Sequence, residues 1–225
     1  MAPVSTENFE SRRPRVFKTS SIQNLEYSIP RVLNTSIAMP VLTVISGPMF
    51  AGKTTELQRR VGAARALGQH VIVVKPARDT RYATDAIVTH TGERVAAKSV
   101  SDATDLLKLV EAEQTTPSLV AIDEIHFFAS EVVAPINTLL DRGVSVIVAG
   151  CDLDHFGDLF APFDALLPHA NEVVHIRGTC ARCSAPSTHS ERLIAATERI
   201  VVGGAGEFLA TCAACFQPSQ RSARR

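Results

Sequence analysis

Eight residues, Gly47-Pro48-Met49-Phe50-Ala51-Gly52-Lys53-Thr54, match the pattern GxxxxGK[ST], whose chemistry is phosphate binding. Glycines 47 and 52 let the backbone turn tightly and aim successive N–H groups inward, so a polyphosphate can sit on them and on the positive end of the following helix. Lys53 is placed to reach the terminal phosphates, and the Thr54 hydroxyl to hold Mg²⁺. A second group, Asp123-Glu124, closes the apolar run Leu119-Val120-Ala121-Ile122. Side chains alternate along an extended chain, so the two carboxylates divide two tasks: Asp123 holds the metal, directly or through water, and Glu124 takes a proton from a hydroxyl or water. A third group, Cys180-x-x-Cys183 and Cys212-x-x-Cys215 with 28 residues between the pairs, has the spacing of a four-thiolate tetrahedral zinc site. No ligand position is left open, so this zinc is structural and staples a segment too short to bury a core of its own.

These groups need a scaffold, and the intervening sequence spells one. The β-branched run Val41 to Ser46 precedes the phosphate loop as a strand, and Leu57, Val61, Ala64 and Leu67 recur at helical spacing after it, with Gly68 as the stop. His70 to Lys75 and Val144 to Ala149 read as buried parallel strands, Val95 to Val100 as a further strand, and Ser101-Asp102 as the cap of a helix carrying Leu106, Leu107, Leu109 and Val110. Ser130 to Arg142 reads as a helix with Pro135 near its first turn. Strands alternating with helices predict an α/β fold with a parallel, helix-covered sheet, and ligands bind such sheets beyond the strands' carboxyl ends. Two charged loops lie there: Arg78-Asp79-Thr80-Arg81-Tyr82, which suits phosphates or solvent, and Cys151 to Phe160. Cys151 itself reads as a small buried apolar residue, His90 as a loop residue, and Phe127 and Phe128 as either core or the flank of a planar ligand. Between the cysteine pairs, the glycines of Val201-Val202-Gly203-Gly204-Ala205-Gly206-Glu207-Phe208 allow close backbone approach to a ligand.

Composition sets the outer limits. A chain of 225 residues has room for one sizeable core and a small appendage. Lys plus Arg and Asp plus Glu both number 23, so no global basic field recruits nucleic acid or an anionic membrane. No apolar run approaches the roughly 20 residues that span a bilayer and the N-terminus lacks the apolar core of a secretory signal, so a soluble, cytoplasmic protein is expected, and in a reducing compartment paired CxxC units mean metal. Residues 1–38, rich in Ser, Asn, Thr, Pro and Arg, read as a disordered tail in which acidic residues interrupt any targeting helix, and a start at Met39 would lose nothing the fold needs. Residues 218–225 read as a basic, solvated tail.

The phosphate loop, the Asp-Glu strand end and the late four-cysteine lobe, in this order and length, resemble the type II thymidine kinase family. The resemblance runs from about Val41 to Phe216 and is carried by GPMFAGKTTELQRR at 47–60, KPARDTRY at 75–82 with Thr89-His90, IDEIHFF at 122–128, CDLDHFGDLF at 151–160, and the cysteine pairs flanking VVGGAGEF. It implies a P-loop (RecA-like) kinase domain over 39–176 and a zinc-ribbon-like lobe over 177–217 that carries a lasso loop. It implies ATP- and Mg²⁺-dependent phosphorylation of thymidine or deoxyuridine at the 5′-hydroxyl, a step of deoxynucleoside salvage, with Glu124 as general base. Residues 47–54 with Asp79, Thr80, Arg81, Asp123, Ile125 and His126 would serve ATP. Phe127, His155, Phe160, Val201, Val202, Gly203 and Phe208 would enclose the nucleoside, the lasso using backbone contacts. A homotetramer inhibited by the pathway's final triphosphate is also implied, with no nucleic-acid or membrane partner.

The chain departs from the family pattern at three positions. His126 stands where Gln is common, His155 stands where a Phe lies near the nucleoside and no Arg follows within two residues, and Phe208 replaces a lasso tyrosine. They leave the phosphate chemistry intact and bear on the choice of nucleoside. A rival reading takes Asp123-Glu124-Ile125-His126 as the DExH box of a nucleic-acid-dependent ATPase, but a single phosphate loop and neutral charge oppose it. A third, an ATP-binding module without catalysis, is opposed by the presence of Glu124.

Overall fold

Short β-branched runs punctuated by glycine and proline become strands that are buried on both faces, a state available only where helices cover both sides of a sheet. In chain order the elements are β1 (Leu42–Ser46), α1 (Lys53–Ala66), β2 (Val71–Pro76), β3 (Ala86–Val88), β4 (Arg94–Ala96), β5 (Lys98–Val100), α2 (Ala103–Glu111), β6 (Leu119–Ile122), α3 (Val133–Asp141), β7 (Ser145–Gly150), α4 (Ala161–Leu166), β8 (Glu172–His175), β9 (His189–Arg192) and β10 (Phe208–Thr211). The structure, a computed structural model, describes residues 39–80, 85–88, 92–195 and 198–219, all within one compact unit, Ala38–Arg225. The expectations for residues 1–38, for Arg81, Tyr82, Thr89 and His90, and for the basic tail from 220 onward lie outside the described residues.

Six strands stand in the order β5-β2-β6-β7-β1-β8, with every neighbouring pair parallel. Because β7 lies between β1 and β6, the phosphate loop after β1, the Asp-Glu pair after β6 and the 151–160 loop after β7 leave from adjacent carboxyl ends. They open on one crevice, where such sheets bind ligands. Alternation along each strand assigns the two faces. Leu42, Val44, Val120, Ile122, Val146 and Val148 pack with Leu106 of α2, Ile136 of α3 and Phe163 of α4. Ile45, Ala121, Ile147 and Ala149 turn the other way, onto Leu57, Val61 and Ala64 of α1.

Local signals explain most boundaries. Asp102 caps α2 by accepting the N–H groups of Thr104 and Asp105, and Gly68, at φ +76°, follows the end of α1. Pro135 sits in the first turn of α3, where its missing N–H costs no helical bond, but Ser130–Val132 forms a separate 3₁₀ turn ahead of that helix. The single strand expected over 95–100 is two. Ala97 breaks it, donating its N–H to the Asp85 carbonyl at 2.9 Å, so β4 pairs antiparallel with β3 while β5 joins β2 in the large sheet. The segment between the cysteine pairs is likewise no simple loop: β9 and β10 form an antiparallel pair, with Phe208 opposite Arg192.

Candidate active site

The phosphate loop is built on backbone that ordinary side chains avoid. Gly47 has φ +142°, and a Cβ there would lie 2.1 Å from the Ile176 carbonyl oxygen. Gly52 has φ +97° and Phe50 φ +62°, so the chain turns back on itself and delivers α1 amino-end first. Lys53 is buried; its ammonium donates to the Pro48 carbonyl at 2.7 Å and meets Cys151 Sγ at 3.4 Å. One helical position on, the Thr54 hydroxyl donates to Asp123 Oδ2 at 3.0 Å. That bond joins the loop's hydroxyl to the carboxylate at the end of β6, the oxygen pair a hard divalent cation requires. Burial, then the neighbouring Glu124 charge, pushes the Asp123 carboxyl up to about 7, and a divalent cation at these oxygens would reverse that by favouring the anion.

Glu124 follows in the left-handed region, φ +50° and ψ +43°, and opens the 3₁₀ turn Ile125–Phe127, with both carboxylates lining one cleft. Its Oε2 lies 3.4 Å from His126 Nδ1. The same nitrogen accepts the Cys151 N–H at 3.2 Å. An atom accepting an amide proton carries none of its own, so in this tautomer His126 is protonated on Nε2 and its approach to Glu124 is not an ion pair. Gly150 makes the arrangement possible, since a Cβ there would lie 3.0 Å from the His126 ring.

Two cavities adjoin. The first, an open cleft of about 710 Å³, is walled by Met49, Phe50, Gly52, Lys53, Thr54, Asp79, Asp123, Glu124 and Gly203 from the predicted set. The second, about 350 Å³, is walled by Met49, His126, His155, Phe160, Val201 and Phe208. Met49 and Cys151 belong to both walls. The remaining predicted residues stand elsewhere. Gly47, Pro48 and Ala51 shape the loop without lining either cavity, Val202 lies between two lining residues, and Thr80 is exposed. Ile125 is fully buried core, and Phe127 is buried behind His126, ring centroids 4.5 Å apart.

Sequence reasoning missed several lining groups. Lys75, fully buried at the end of β2 with its ammonium 3.5 Å from Asp79 Oδ2, lines the first cleft; a lone charge in an apolar strand run was its signal. Cys151 is buried as expected, yet it also touches Lys53 and both cavities. Arg199, Asp154 and Ser190 line the second cavity, and nothing local marks them. Arg199 Nε donates to Asp154 Oδ2 at 2.6 Å and Nη2 to the Leu159 carbonyl at 3.0 Å, with the guanidinium 5.3 Å above the Phe160 ring.

The four cysteines meet as their spacing predicts. The Sγ atoms of Cys180, Cys183, Cys212 and Cys215 lie within 4.8 Å of one another, against about 3.8 Å between sulfurs placed 2.3 Å from a tetrahedral zinc. Backbone N–H groups, that of Cys212 first, bring the Cys180 thiol down to about 6, while its contact with Cys183 pushes Cys215 up to about 12. Four sulfur donors this close together, with no other ligand type among them, form a set that fits zinc. The lobe this group closes is tied to the phosphate loop: the Met49 N–H donates to Ser190 Oγ of β9 at 2.9 Å.

Comparison with known proteins shows the family. The family model described as thymidine kinase matches residues 40–216. The thymidine kinase of Deinococcus deserti is 39% identical over 184 residues, covering 76% of this chain and 91% of that one. The thymidine kinase of Chloroflexus aurantiacus is 38% identical over 187 residues, covering 79% and 95%. Among solved structures, the genome packaging NTPase B204 from Sulfolobus turreted icosahedral virus 2 superposes with a TM-score of 0.43 at 12% identity, over 61% of this chain and 75% of that one, too loose a likeness to bear on the reading.

Proposed function

The chain belongs to the thymidine kinase family, and on that premise we propose that it transfers the γ-phosphoryl group of ATP to the 5′-hydroxyl of thymidine or deoxyuridine. The observation that carries this reading is the pair of adjoining cavities: a phosphate cleft holding Lys53, Thr54, Asp123 and Glu124, and a pocket of nucleoside size sharing Met49 and Cys151 with it. In the proposed reaction the loop amides and Lys53 hold the β- and γ-phosphates. Thr54 and Asp123 would hold Mg²⁺, which when bound neutralises phosphate charge. Glu124 accepts the proton of the 5′-hydroxyl as its oxygen bonds to the γ-phosphorus, and the bond to the β-phosphate oxygen breaks to release ADP. Asp79 stands on the phosphate side, where it fixes Lys75.

In this reading 39–176 is the kinase domain and 177–217 a zinc-bearing lobe whose lasso, Val201 to Gly203, closes over the nucleoside. Resemblance to the type II family supports a cytoplasmic homotetramer. No helix among the described residues is long and apolar enough to cross a membrane. The reading is tested by ADP release with ATP and Mg²⁺ against thymidine, deoxyuridine, deoxycytidine, deoxyguanosine, single-stranded nucleic acid and no acceptor. Stimulation by thymidine or deoxyuridine is expected. Stimulation only by nucleic acid would transfer the chain to the ATPase reading, and silence throughout would make it a non-catalytic binding module.

A further inference from the structure

The nucleoside pocket contains two polar side chains that the packing does not account for. His155 is 5% exposed and lines the pocket, and neither of its ring nitrogens has a hydrogen-bond partner among the described residues. Leaving a buried imidazole unpaired is unfavourable, because both nitrogens have given up water and received nothing in return. Burial first, then the positive charges of Arg192 and Arg199, hold this ring below its usual pKa, so it is neutral at physiological pH, with one nitrogen a donor and the other an acceptor. Arg199 enters the same pocket from the lobe and is held fast. Its partner Asp154 is fully buried, takes Arg199 Nε on Oδ2, and spends Oδ1 on the backbone N–H groups of Phe156 and Asp158. With Nε and Nη2 engaged, Nη1 is the guanidinium nitrogen without a hydrogen-bond partner among the described residues. The rest of the wall is largely apolar, with Met49, Leu153, Phe160, Ile200, Val201 and Phe208.

Resting on the kinase reading above, we propose that His155 and Arg199 select the base: Arg199 donates to the carbonyl at position 4 of the ring, and the unprotonated nitrogen of His155 accepts the adjacent ring N–H. The pocket thereby takes a 2,4-dioxopyrimidine and refuses a 4-aminopyrimidine. The two residues are needed together. A neutral histidine alone discriminates poorly, because the other tautomer would donate equally well to the bare ring nitrogen of a 4-aminopyrimidine. Arginine has no acceptor, so an exocyclic amine set against it leaves two donors facing each other in a desolvated site. The guanidinium breaks the tie, and the buried Asp154 keeps it from turning away.

The test uses the full-length chain and reads the ratio of kcat/KM for deoxyuridine to that for deoxycytidine, in wild type and in H155F, H155Q and R199K. Phenylalanine fills the same space without either nitrogen, glutamine keeps an acceptor and a donor, and lysine keeps the charge opposite Asp154 while losing the fork. The ratio should fall about threefold to tenfold in H155F, the range for one neutral hydrogen bond, and at least as far in R199K, whose lost donor is charged, with the loss carried by deoxyuridine, and H155Q should restore most of the loss seen in H155F. Equal losses for both nucleosides would mean a purely structural role and would overturn the proposal while leaving the kinase reading intact. If the wild-type chain phosphorylates no nucleoside, the kinase reading fails. Calorimetric titration with the two nucleosides then decides the pocket by itself: tighter binding of deoxyuridine, lost in H155F, upholds the selection, and equal affinities overturn it.

Discussion

Glu124 does two jobs at one position. Its left-handed backbone, φ +50°, is a conformation that non-glycine residues adopt at a cost on the order of 1 kcal/mol or more, and its carboxylate lines the same cleft as that of Asp123, which bonds to Thr54. An extended chain would send the two neighbouring carboxylates to opposite faces; with the left-handed turn at Glu124 both line the same cleft. Glu124→Gln keeps the shape and removes the base, so kcat should fall about 100-fold to 10,000-fold, the usual contribution of a general base, while ATP affinity by calorimetry stays within about twofold. Surviving turnover would remove Glu124 from the proposed mechanism. The place of Glu124 at a strand's end was readable from the apolar run before it. The tautomer of His126 was not, because it depends on the Cys151 amide 25 residues away.

At the scale of elements, the β1–loop–α1 unit is the part that the sequence prescribes most fully. Strand, glycine positions and helical periodicity all fall within 28 residues, 41–68, and the helix runs Lys53–Ala66 as its pattern requires. The loop nevertheless depends on a distant element. A methyl at residue 47 would collide with the Ile176 carbonyl just past β8, at 2.1 Å. Gly47→Ala should therefore lower unfolding stability by at least about 2 kcal/mol, combining strain at positive φ with a backbone clash that no rotamer relieves, and should abolish ATP binding in the fraction that folds. Urea denaturation with and without ATP measures both, and a variant as stable as wild type would contradict the close approach of Ile176 to the loop. Elsewhere, propensity was too coarse. Val95 to Val100 has the composition of one strand, yet the Ala97 N–H goes to Asp85, and a single backbone bond to another segment divides it between two sheets.

At the scale of the whole molecule, the cysteine lobe and the phosphate cleft are mechanically one object. Ser190 receives the Met49 amide, Gly178 stands so close to Ala51 and Phe50 that a Cβ would meet them at 3.3–3.4 Å, and Arg199 crosses to Asp154. Stripping zinc, or replacing Cys183 with Ser, should lower the thermal midpoint by at least about 5 °C and raise KM for the nucleoside more than KM for ATP, since the lobe supplies more of the second cavity's wall than of the first. Metal analysis beside calorimetry checks it; an unchanged midpoint after complete zinc loss would show that the lobe folds without metal. The sequence by itself determined the parallel α/β fold, the phosphate loop, the placement of Asp123 and Glu124 at a strand's end and the convergence of four cysteines, because each is written in the spacing of residues near one another in the chain. Only the tertiary structure decided which groups line the second cavity. Met49 meets Ser190 across 141 residues, and Asp154 meets Arg199 across 45. Contacts of that kind leave no periodicity to read, since their geometry is set by how the lobe packs on the sheet and not by any local preference of the chain.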